Sequence, residues 1–111
     1  MEFHTRSLDG GVIVIAPAGR LNMVTAGALR DEIARHVEGG STRIVVDLAG
    51  VDFMDSSGLG SLISGLKSTR QAGGDLRIAA ATEQVMRVLT LTNMDRVLVP
   101  HPSVETAFDD A

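Results

Sequence analysis

Asp55, Ser56 and Ser57 stand together between a run of β-branched residues and the start of an apolar stripe. The run before them, Arg43-Ile44-Val45-Val46-Asp47-Leu48, reads as a buried strand. The run after them places Leu59, Leu62, Ile63 and Leu66 at i, i+3, i+4 and i+7, which predicts an amphipathic helix. The three polar residues therefore fall at a strand-to-helix corner, where any of their side-chain oxygens could cap the helix. One cap is enough. At least one hydroxyl is left over for chemistry or contact.

A spare hydroxyl can be a nucleophile in a catalytic group or an acceptor worked on by another protein. A hydrolase elbow needs Gly-x-Ser-x-Gly, and neither Ser56 nor Ser57 has a glycine two residues before it. His4, His36 and His101 are scattered, with no triad or metal-ligand spacing. Gly60-Ser61-Leu62-Ile63-Ser64-Gly65-Leu66-Lys67-Ser68 approaches a phosphate loop but has one residue too many before the lysine, and it lies inside the helical periodicity. Asp47, Asp52 and Asp55 lack the glycine-spaced loop and closing glutamate of a calcium site. No nucleophile comes with its base. These residues predict no enzyme, no cofactor and no metal.

Composition narrows the partners. The chain has 111 residues, enough for one domain, and at 44% hydrophobic it can bury a core. With no Trp or Tyr, three Phe and a net charge of −4, it lacks the aromatic platforms and clustered cations of a nucleic-acid surface. It has no cysteine, which removes disulfides and thiolate sites. No apolar run approaches the ~20 residues that cross a bilayer, and the polar N-terminus lacks a signal-peptide core, so a cytoplasmic protein with no membrane partner is expected.

The elements that must hold the corner can be read in order. Residues 2–8 and 12–18 form an antiparallel hairpin around Asp9-Gly10-Gly11, with Pro17 ending or bulging the second strand. A helix capped by Asn22 or Thr25 buries Ala26, Leu29, Ile33 and Val37 and stops at Gly39-Gly40. The helix after the corner runs to about Gln71 and carries a second stripe of small residues, Ser57, Gly60, Ser61, Ser64, Gly65 and Ser68. A strand at 76–80 follows, then a helix capped by Thr82 and closed by Asn93. A strand at 97–99 and a terminal helix capped by Ser103 complete the chain. Strands alternating with helices imply parallel pairing, so the expected fold is α/β: a mixed sheet of about five strands covered by about four helices.

The stretch Asp52-Phe53-Met54-Asp55-Ser56-Ser57-Gly58-Leu59-Gly60 resembles the signature of the STAS family, and in particular its bacterial anti-sigma factor antagonists. The similarity continues from Gly19-Arg20-Leu21-Asn22 to the end, and the length suits one such domain over residues 1–111. In that family the serine after the motif aspartate is the phosphoacceptor, which maps onto Ser56, with Ser57 as the rival acceptor. The resemblance implies a partner switch. The unphosphorylated protein, a monomer when free, binds an anti-sigma factor that is also a serine kinase of histidine-kinase-like ATPase fold, and so frees the sigma factor. Phosphorylation breaks that complex, and a metal-dependent serine phosphatase restores it. Asp55, Gly58 and Asn22 would then support the phosphosite, and Met54, Ser57, Gly60, Ser61 and Ser64 would meet the partner. The family usually carries aspartate where Asn22 stands, so a charge is missing there. The alternative is a structural subunit of a larger sensory, stressosome-like or lipid-transport assembly, which has no need of two adjacent hydroxyls.

Overall fold

The computed structural model describes residues 1–109. Strands β1 (Glu2–Leu8) and β2 (Val12–Leu21) pair antiparallel from Glu2 with Ala18 to Leu8 with Val12. Gly10 and Gly11 turn between them at φ of +81° and +77°, a region that residues without Cβ enter freely. Every later pairing is parallel: β2 with β3 (Arg43–Asp47), β3 with β5 (Asp75–Ala79), and β5 with β6 (Pro100–His101). Strand β4 (Val51–Met54) lies off that path and pairs with the far end of β2.

This gives six strands among the described residues where about five are expected, because β4 is short and of mixed polarity, and its sequence reads as part of the corner loop. It also changes the role of Pro17. Strand β2 does not end there but changes neighbours, pairing with β3 up to Ile15 and with β4 from Gly19. Amides alternate sides along a strand, and the Gly19 N–H donates to the Gly50 carbonyl at 2.9 Å. The nitrogen of Pro17 thus faces the gap between β3 and β4, where no donor is needed.

Helices α1 (Ala26–Glu38), α2 (Ser56–Gln71) and α3 (Glu83–Leu91) build the main core. Ile15, Ile44, Val46 and Ile78 from the sheet pack there with Leu29, Ile33, Leu62, Leu66, Val85 and Leu89. Each fully buried aliphatic side chain contributes roughly 1.5–3 kcal/mol. A smaller cluster joins Val12, Val14, Val45 and Ala79 to Val104 and Ala107. Phe108 closes it between the guanidinium groups of Arg43 and Arg77, 4.9 and 4.4 Å from its ring centre.

The C-terminal part departs from expectation. Val97-Leu98-Val99 forms no strand, since a 3-10 turn at Met94–Arg96 captures the Leu98 amide on the Met94 carbonyl at 2.7 Å. The pairing falls instead on Pro100–His101. The terminal helix reduces to a 3-10 turn at Val104–Thr106, where the Ser103 hydroxyl meets that of Thr106 at 3.0 Å and caps nothing. Three α-helices result among the described residues, where about four are expected. Thr82 occupies the N-cap position of α3, but its hydroxyl donates to the Val51 carbonyl of β4 at 3.0 Å.

The small stripe of α2 divides in two. Gly65 and Ser61 face inward: a Cβ on Gly65 would lie 2.8 Å from Ile33 Cδ1 and 2.9 Å from Leu76 Cδ1. Gly60 is exposed, with nothing within 4 Å of a Cβ placed there. Alanine gains roughly 1 kcal/mol over glycine inside a helix. Urea unfolding should therefore show Gly60→Ala stabilised by about 0.5–1 kcal/mol. Gly65→Ala should show no gain, because crowding of Ile33 and Leu76 costs about 1–3 kcal/mol.

Candidate functional site

The corner between β4 and α2 is built on the last residue of β2. The Leu21 carbonyl accepts the Asp55 N–H at 3.3 Å. Asp55 is the N-cap of α2, in extended conformation, and its Oδ1 accepts the Gly58 N–H at 3.0 Å. Gly58 is buried against β2, and a Cβ on it would sit 2.2 Å from the Leu21 oxygen. The corner therefore requires glycine at this position.

Asp55 alone does the capping. Ser56, the first residue of α2, is exposed, and Ser57 is half-buried. Among the described residues neither hydroxyl has a hydrogen-bond partner within the chain. The redundancy inferred from the sequence is real: two hydroxyls are uncommitted beside one working cap.

Asn22 follows Leu21, which ties it to the same corner. Its Oδ1 accepts the amides of Val24 and Thr25 at 3.0 and 3.3 Å, so it caps the turn into α1. Thr25 holds the N-cap position, yet its hydroxyl turns back to donate to the Arg20 carbonyl at 2.6 Å. That turn carries two apolar residues in water, Met23 at 79% and Val24 at 85% exposed. Neither belongs to a helical stripe or a strand, and that misfit was their sequence signal.

Two residues expected on the partner surface are inside. Met54 is 1% exposed because it ends β4 beside Leu21 with its side chain in the main core. Ser61 is fully buried, its hydroxyl donating to the Gly58 carbonyl at 2.6 Å. Ser57, Gly60 and Ser64 remain reachable at helical spacing.

The corner offers an anion an exposed helix start, where backbone amides and the helix dipole favour negative charge. No histidine reaches it: His4 lies in β1, His101 in β6, and His36 on α1 beside Glu32 at 3.2 Å. Asp47 accepts the Ala49 N–H in the turn after β3, and Asp52 is exposed on β4. Among the described residues no three such carboxylates or imidazoles gather as a ligand set. Ser56 is exposed at the start of α2, with the Asp55 carboxylate beside it as the helix cap.

Comparison with known proteins places this geometry among relatives. A family model described as STAS domain matches residues 7–107. The chain is similar to the anti-sigma-B factor antagonist of Staphylococcus epidermidis, 30% identical over 68% of this chain and 70% of that one. It is 27% identical to the anti-sigma F factor antagonist of Paenibacillus polymyxa, over 88% of this chain and 80% of that one. The crystal structure of an anti-sigma factor antagonist from Mycobacterium paratuberculosis superposes with a TM-score of 0.85 at 28% identity, covering 98% of this chain and 92% of that one.

The corner's two supports can be told apart by stability. Asp55→Ala should lose about 1 kcal/mol in urea unfolding, while Asp55→Asn, which keeps an acceptor oxygen, should lose little. Gly58→Ala should lose about 3 kcal/mol, the upper end of overpacking, because the atom in its way is backbone.

Proposed function

The chain belongs to the STAS domain family, and from that premise we propose that it is an anti-sigma factor antagonist switched by phosphorylation of Ser56. One observation carries the assignment of the residue. Ser56 presents a free hydroxyl at the exposed start of α2 while Asp55 alone caps the helix. A cytoplasmic anti-sigma factor that is also a serine kinase of histidine-kinase-like ATPase fold binds the unmodified chain. It lies across Ser57, Gly60 and Ser64, with Met23 and Val24 supplying apolar contact. Its sigma factor is thereby released.

The kinase transfers the terminal phosphoryl group of ATP to Ser56 Oγ, taking the hydroxyl proton on its own base and releasing ADP. That division of labour accounts for a serine with no histidine beside it. A metal-dependent serine phosphatase returns the hydroxyl by hydrolysis. Ser57, half-buried, is the poorer acceptor.

The switch acts through charge at the contact. A phosphoserine carries about −1.5 to −2 charges near neutral pH. The helix start favours it by roughly 0.3–1 kcal/mol, and repulsion from Asp55 opposes it by roughly 1–4 kcal/mol. A hundredfold loss of affinity needs only about 2.7 kcal/mol. Desolvating a dianion under a close-fitting partner supplies that much.

Incubation with a candidate anti-sigma kinase and ATP, followed by intact mass, should show one added phosphate on the wild type and none on Ser56→Ala. Ser56→Asp should bind that kinase on the order of 100-fold more weakly by titration calorimetry. Undiminished phosphate on Ser56→Ala would move the acceptor elsewhere. No phosphate on the wild type with any such kinase would favour a structural subunit.

A further inference from the structure

We propose that Gln84 is a positioning residue for the phosphosite, its side-chain amide standing in for a missing strand beside β4. The inference rests on the reading of Ser56 given above. Among the described residues, strand β4 pairs with β2 along one edge only. On the other edge the Met54 N–H donates to Gln84 Oε1 at 2.7 Å, and Gln84 Nε2 donates to the Met54 carbonyl at 3.0 Å. An amide side chain is the one type that offers a donor and an acceptor in the spacing of a neighbouring peptide. Met54 is buried, so its backbone groups have no water to turn to.

Met54 is the residue before the cap. Its backbone is gripped from α3 by Gln84, and the next residue, Asp55, is gripped from β2 by the Leu21 carbonyl. The α2 start is thus clamped from both sides, and Ser56 is held where the clamp puts it. Gln84 is the second residue of α3, and Thr82, just before that helix, holds the Val51 carbonyl at the other end of β4. The position of α3 therefore sets how Ser56 is presented.

The test uses the full chain as wild type, Gln84→Met and Gln84→Glu. Methionine keeps the length and removes both bonds. Glutamate keeps an acceptor for the Met54 N–H but sets a carboxylate against the Met54 carbonyl. Amide hydrogen exchange by NMR should quicken about tenfold or more at Asp55 and Gly58 in both variants and at Met54 in Gln84→Met, with less than about a twofold change at Val45 and Ile78. With a kinase that modifies the wild type, kcat/KM for phosphorylation should fall on the order of tenfold in both, a loss that unchanged exchange in the sheet separates from unfolding. Exchange at Asp55 and Gly58 that stays as in the wild type, or that quickens no more than at Val45 and Ile78, would overturn the proposal. So would an unchanged phosphorylation rate. The exchange measurement uses no kinase, so it stands or falls apart from the assignment of Ser56.

Discussion

The closeness of β2 to the start of α2 is the constraint on which the site depends. One oxygen, the Leu21 carbonyl, accepts the Asp55 amide at 3.3 Å and would lie 2.2 Å from any Cβ on Gly58. Glycine early in a helix costs roughly 1 kcal/mol relative to alanine. Forcing a methyl group into that contact costs more, because the obstructing atom is backbone that is itself hydrogen-bonded. The glycine is the smaller loss. Its presence lets the strand end and the helix start share one point, and that point determines which neighbouring side chains face water.

From this contact follows a division of roles among adjacent polar residues. Asp55 is turned into the helix and caps it, Ser56 is turned out, and Ser61, one turn on, is sealed beneath with its hydroxyl on the Gly58 carbonyl. Leu62 and Leu66 anchor the same helix in the core, each contributing roughly 1.5–3 kcal/mol. A charge added at Ser56 perturbs the helix start by a comparable or smaller amount, and its attractive and repulsive parts oppose one another. On the proposed reading, the fold absorbs a charge that the interface does not. This asymmetry makes an exposed helix start a workable switch point.

Much of this was legible in the sequence because local pattern and tertiary structure agree. The Gly10-Gly11 hairpin, the buried run at 43–48, the Leu stripe of α2 and its stop after Gln71 all follow from periodicity and turn chemistry. The misses share a cause, which is that a long-range partner overrides a local signal. Val97-Leu98-Val99 has strand composition, but Met94 claims the Leu98 amide and leaves Val97 and Val99 in water. Thr82 has the type and place of a cap, but Val51 offers its hydroxyl a buried carbonyl. Met54 and Ser61 belong to the motif or the small stripe, yet the register shift between β2 and β4 and the helical phase of α2 turn both inward. Gln84 gave no signal at all, since a glutamine early in a helix is ordinary until the unpaired strand beside it is known.

The central claim is that the corner is a fixed platform whose binding changes with one charge while its backbone stays in place. The most direct measurement is the amide NMR spectrum of the isolated chain before and after complete phosphorylation. Shifts confined to residues 22–24 and 55–60 are predicted. Shifts of similar size spread through β3 and β5 would contradict the claim, because the sheet would then be moving with the modification.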